Sequence, residues 1–229
     1  MTHPVLLIHG ALGSASQLEP VKTALQNSRF TVHSMDLSGH GGAAFQAQFG
    51  IEQFGLDVLQ CLNQNSLRTV NIFGYSMGGY VALEFASKYP DRVGSMVTLG
   101  TKFDWSVGSA AREVRKLDPE KILEKVPAFA RILEKRHAPN DWKELIQKTS
   151  AMMISLGGKP LLTPEVLRAI INPIWICLGD QDDMADRQYS EDVAGFLPNG
   201  KFLLLENTPH PIEKVSIGKL IDIAAQAFH

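Results

Sequence analysis

Six short runs of β-branched and aliphatic residues alternate with amphipathic stretches along this chain, and each run is almost continuously apolar. A strand with one wet face alternates apolar and polar residues; a continuous run fits a strand covered on both faces. The runs fall at residues 3–8, 30–36, 69–73, 95–99, 173–178 and 201–205. Helical spacing of apolar residues occupies 16–27 (Leu18, Val21, Leu25), 51–64 (Ile51, Phe54, Val58, Leu62) and 77–89 (Val81, Ala82, Phe85), and Pro90 stops the third. Strand–helix–strand alternation with short links requires right-handed crossovers and a parallel sheet. The expected fold is therefore α/β, a doubly wound and mostly parallel sheet of about six strands.

One interval breaks the rhythm. Residues 104–171 contain no strand pattern, only helical ones at 109–117, 119–136, 141–155 and 163–171, with Pro127 expected to split the second. They read as a helical insertion between the fourth and fifth strands, so 1–103 and 172–229 form the core. The insertion is also basic: residues 102–170 hold 13 Lys/Arg against 9 Asp/Glu, leaving 9 against 15 elsewhere. Spacings such as Glu120, Lys121, Glu124 and Lys125 suit ion pairs on a solvated helix face. The same charges, if turned toward a cleft, suit an anionic substrate.

Composition narrows the function class. With 45% apolar and 20% charged residues the chain is not intrinsically disordered. A formal charge of −2 gives no general attraction to nucleic acid. The apolar runs are far shorter than the roughly 20 residues of a membrane span. No basic, long-apolar leader opens the sequence, and the two cysteines, Cys61 and Cys177, form neither a disulfide framework nor a metal cluster. A cytoplasmic protein without metal or cofactor is expected; a homodimer is left open.

The third run leads into Gly74-Tyr75-Ser76-Met77-Gly78-Gly79, a G-x-S-x-G sequence between a strand and a helix. A serine on so sharp a turn projects its hydroxyl above the sheet edge, and the glycines let neighbouring backbone pass. The following helix turns its N-terminal amides toward the same place, where they can hold a developing oxyanion.

A serine hydroxyl needs a general base, and the base needs an orienting carboxylate. Gly179-Asp180-Gln181-Asp182-Asp183 follows the fifth run, and Glu206-Asn207-Thr208-Pro209-His210-Pro211 the sixth. Both leave the C-terminal ends of strands, the rim that also carries Ser76. His210 is the candidate base and Asp182 the favoured acid, with Asp180, Asp183, Asp186 and Asp104 as alternatives. His3, His137 and His229 read as surface or terminal residues, and His33 lies within a strand. The first run ends in His9-Gly10-Ala11-Leu12-Gly13, a turn able to aim the Ala11 amide at the rim beside that of Met77. His9 reads as a brace for that turn. His40, in the glycine-dense Asp36-Leu37-Ser38-Gly39-His40-Gly41-Gly42, reads as a packing residue.

With these turns in place the chain resembles the α/β-hydrolase superfamily, in particular its small esterase-like members, and Tyr80 to Val93 is similar to the family's nucleophile helix and exit. The resemblance covers 1–104 and 171–229, and the helical insertion corresponds to the family's variable cap. It places the nucleophile, acid and base in the chain order Ser76, Asp182, His210. It implies an acyl-enzyme formed on Ser76, an oxyanion hole of the Ala11 and Met77 amides, and a small-molecule acyl substrate.

Three departures stand out. Pro209 replaces the glycine usual before the histidine, and Asp183-Met184-Ala185-Asp186 replaces the apolar residues and proline that often follow the acid. The N-terminal hairpin common in the superfamily is expected to be missing. The leading expectation is a carboxylic ester hydrolase. Its rivals are a thioesterase, an acyl-carrier methyl-ester esterase, a C–C bond hydrolase or a menaquinone-pathway-like lyase, and a non-catalytic binder on the same fold.

Overall fold

The structure is a computed structural model that describes residues 3–228; Met1, Thr2 and His229 lie outside the described residues. Six parallel strands form one sheet: β1 (Val5–Ile8), β2 (Val32–Met35), β3 (Val70–Tyr75), β4 (Val93–Leu99), β5 (Ile174–Gln181) and β6 (Gly200–Pro209). Their order across the sheet is β2-β1-β3-β4-β5-β6. The chain thus winds outward in both directions from the β1/β3 pair, and a ligand crevice is expected beyond the carboxyl ends of these strands.

Double coverage explains the continuous apolar runs. Val5 and Leu7 of β1 face one cluster, with Val21 and Leu25 of α1 (Glu19–Asn27) and Leu220 and Ile223 of α10 (Ile217–Ala227). Leu6 and Ile8 face the other, with Phe54 and Val58 of α2 (Ile51–Gln64) and Val81 and Leu83 of α3 (Met77–Lys88). Helix α9 (Arg187–Phe196) adds Val193 to that second layer. Helices α9 and α10 were not anticipated by the sequence reading.

Between β4 and β5 run five helices: α4 (Val107–Val114), α5 (Pro119–Lys125), α6 (Pro127–His137), α7 (Trp142–Gly158) and α8 (Pro164–Ala169). Ser106, Asp118, Asp141 and Thr163 cap α4, α5, α7 and α8 through their side-chain oxygens, satisfying amides that have no partner inside the helix. Pro127 separates α5 from α6, as its missing N–H and fixed φ require. A third cluster, including Leu133, Trp142 and Ile146, packs these helices against Leu12 in the turn after β1.

Two strands outrun their expected ends. β5 continues to Gln181 and β6 to Pro209, and Gln181 pairs with Pro209 after a register shift beyond Gly179. The polar residues following each apolar run therefore extend the ladder instead of leaving it.

Candidate active site

Ser76 occupies the tight turn between β3 and α3 at φ 51° and ψ −119°, a conformation costing a non-glycine residue about 1–3 kcal/mol. Its surroundings over-determine it. The Ser76 amide donates to Leu99 O at 2.8 Å, and the Ser76 carbonyl accepts from Gly79 N at 3.0 Å and from Thr101 Oγ1 at 3.0 Å. Gly78 permits the turn because a Cβ there would stand 2.2 Å from Ile8 O.

His210, at the end of β6, is joined through Nδ1–H to Asp182 Oδ2 at 2.8 Å, and both side chains are almost fully buried. The other Asp182 oxygen accepts from Met184 N at 2.9 Å and Ala185 N at 3.0 Å. These bonds aim one carboxylate oxygen at the histidine and hold the ring's other nitrogen toward the cavity. The alternative acids are engaged elsewhere or exposed. Asp180 accepts from Thr208 N at 3.0 Å, which holds its carboxyl below the usual range. Asp186 caps α9, Asp104 pairs with Lys102, and Asp183 is exposed.

Ser76, His210, Ala11 and Met77 line one cavity of about 600 Å³. The Ser76 hydroxyl and His210 Nε2 are not hydrogen-bonded to each other here; such pairs are often loose until substrate tightens them. The amides of Ala11 and Met77 have no acceptor among the described residues. Apolar side chains from the inserted helices, among them Ile122, Phe129, Met152 and Leu156, close much of the wall. Among the described residues no group of three His, Cys, Asp or Glu could hold a metal ion, and no helix is long and apolar enough to cross a membrane.

Two residues not singled out by sequence support the Asp182–His210 pair. Gly100, just past β4, has φ +62°, and a Cβ there would meet Asp182 Oδ2 at 2.8 Å and His210 Nδ1 at 3.1 Å. The Tyr75 hydroxyl donates to His210 O at 3.1 Å from beneath. Gly100 could have been suspected from its place at a strand end; Tyr75 offered no signal.

His137 is a correction. It reads as a surface residue in the sequence but is fully buried at the end of α6. Its Nε2–H donates to Leu12 O at 3.1 Å, and its Nδ1 accepts from Gly41 N at 3.0 Å. Arg136 donates to the same Leu12 carbonyl at 2.9 Å, and Asn140 donates to Gly39 O and Ala43 O at 3.3 and 2.7 Å. The end of α6 thus ties together the turns after β1 and β2. Leu12 itself has φ 56°.

His9 and His40 lie beside His137, with ring centroids 5.0 and 5.8 Å apart along the row. His9 bonds Gly10 O and accepts from Leu37 N at 3.2 Å, the bracing role expected of it. His40 bonds Ser38 O at 3.1 Å and packs on Phe49 and Phe54. Burial, against the bond to Gly10, pushes His9 down to about 4, and burial likewise brings His137 to about 4. His40 is lowered for the same reason.

A strained serine elbow, a buried Asp–His pair and a cavity beyond the carboxyl ends of a doubly wound sheet define a recognisable class. The chain belongs to the alpha/beta hydrolase fold family, whose profile matches residues 3–137. Pimeloyl-[acyl-carrier protein] methyl ester esterase of Aliivibrio salmonicida is 23% identical over 90% of this chain and 84% of its own length. Serine hydrolase BPHL of Homo sapiens is 32% identical over 58% of this chain, which spans about half of that protein (51%). A thermophilic esterase from Thermogutta terrifontis superposes with a TM-score of 0.77 at 19% identity, covering 98% of this chain and 88% of that one.

Proposed function

We propose that the protein is a serine hydrolase that cleaves a carboxylic ester of a small or medium acyl substrate. The observation that carries this reading is the 2.8 Å Asp182–His210 bond, whose histidine lines the same cavity as the strained Ser76. In this mechanism His210 Nε2 takes the Ser76 proton as Oγ attacks the ester carbonyl. Asp182 fixes the tautomer and stabilises the imidazolium. The amides of Ala11 and Met77 form the oxyanion hole, each worth about 10²–10³ in rate. His210 then protonates the leaving alcohol and afterwards activates the water that frees Ser76.

Residues 104–171 act as a cap, since α5, α6 and α7 supply the wall facing Ser76. The apolar lining supports an acyl group as the cavity's occupant. The match to a methyl ester esterase over most of both chains supports an ester as the bond cleaved.

A fluorophosphonate probe tests the nucleophile: the native protein is labelled and Ser76→Ala is not. Equal labelling of both would reject the assignment. A chain-length series of p-nitrophenyl esters, run beside acyl thioesters, then tests the bond, and esters are expected to turn over faster.

A further inference from the structure

Three cations line the cavity: Lys102, Lys116 and Arg136. Two are already neutralised. Lys102 lies 2.7 Å from Asp104 and 3.8 Å from Glu113, and Lys116 lies 3.1 Å from Glu113. Arg136 differs. Among the described residues no carboxylate comes within 4.0 Å of its guanidinium. The carboxylate whose charge acts on it, Glu213, is exposed and held by Gln17 Nε2 at 2.8 Å. A counter-charge in water is a weak partner. Arg136 is itself half-buried, and that burial disfavours its charged form. One Nη1–H is spent on Leu12 O. The remaining donors of the planar fork keep the geometry that fits a carboxylate.

We propose that Arg136 receives a carboxylate carried by the substrate, so that the protein selects monoesters of short dicarboxylic acids over neutral esters. This rests on the serine-hydrolase reading of the same cavity. A single guanidinium, with both lysines neutralised, matches one carboxylate better than a phosphate dianion. Reach sets the length. Leu12 follows Ala11, so standard backbone dimensions put the guanidinium no more than roughly 10 Å from the Ala11 amide. An extended four-carbon diacid, with a hydrogen bond at each end, already spans roughly 10 Å, and the five- and six-carbon homologues fit only in folded conformations.

The test compares monoethyl and diethyl esters of the C4 to C6 diacids by proton release, using the native protein, Arg136→Gln and Arg136→Lys. The native protein should prefer the monoester by at least about tenfold in kcat/KM, mainly through KM. Arg136→Gln should bring that ratio close to one, and Arg136→Lys should restore part of it. Because Arg136 also holds Leu12 O, the ratio decides and not the absolute rate. A ratio unchanged in Arg136→Gln, or no preference in the native protein, overturns the proposal. If neither ester turns over, calorimetric binding of the monoethyl adipate anion to Ser76→Ala decides separately. Binding abolished by adding Arg136→Gln supports the receptor while the hydrolase reading fails; no binding, or binding unaffected by Arg136→Gln, overturns it.

Discussion

Asp182 stands within five residues of three other aspartates, and only its carboxylate reaches the His210 ring. Asp182→Asn should therefore lower kcat by about 10³–10⁴ through histidine held in the wrong tautomer. Asp180→Asn and Asp183→Asn should stay within about threefold, which steady-state kinetics on one ester will show. Gly100 makes a second residue-scale prediction. Alanine there must hold φ +62° and place a methyl 2.8 Å from Asp182 Oδ2. The backbone cost alone is about 1–2 kcal/mol. Gly100→Ala should lose more in kcat than in its denaturation midpoint, because the displaced atoms belong to the proposed acid–base pair. The sharp turn at Ser76 and the strand ends that bring Asp182 to His210 were legible in the sequence because each follows an apolar run. Tyr75 was not, since its bond to His210 joins separate strands and carries no local pattern.

At the scale of elements, the end of α6 matters more than its sequence implies. His137 holds Leu12 O and the Gly41 amide together, and its loss would leave both buried groups short of a partner. His137→Ala should destabilise the protein by about 1–3 kcal/mol, measured as a shift in urea midpoint at constant slope. His137 was misread because its partners lie 125 and 96 residues away. The strands were legible because double burial makes the inner runs of β1, β3, β4 and β5 continuous, while the edge strands β2 and β6 are only partly buried. The polar ends of β5 and β6 were not, since Gly179 to Gln181 and Glu206 to Pro209 look like loops yet pair across the register shift. Helix α9 escaped for a related reason: its turns carry Arg187, Gln188, Glu191 and Asp192, which pair with one another on the surface. The charge pattern of the inserted helices forms ion pairs, as its spacing implies. Lys121 pairs with Asp118, Lys143 with Glu120 and Lys148 with Glu144 at the surface, rather than Glu120 and Glu124 with Lys121 and Lys125.

For the molecule as a whole, three buried neutral histidines set the response to acid. The unfolded chain takes up protons near pH 6.5, whereas folded His9 and His137 resist until about pH 4. The unfolded state therefore binds more protons between those values, and stability falls as pH drops from 6.5 toward 4. His40, lowered in the same direction, adds to that fall. Asp36 and Glu84, raised by burial, act in the opposite direction because the folded form of each protonates first. Urea midpoints at pH 7, 6, 5 and 4 should decline steadily; a flat profile would contradict the burial of these rings.

The knot of bonds from Arg136, His137 and Asn140 to the turns after β1 and β2 also bears on how such a protein can diversify. A chimera that exchanges residues 104–171 for another hydrolase's insertion would take away the clasp holding the turns after β1 and β2. New specificity introduced by recombination must therefore keep the segment from Arg136 to Asn140 with the recipient, or bring both turns with the graft. Point changes at the exposed cavity-lining positions Val126, Phe129 and Ile132 carry no such debt, which makes them the freer route for drift in substrate preference.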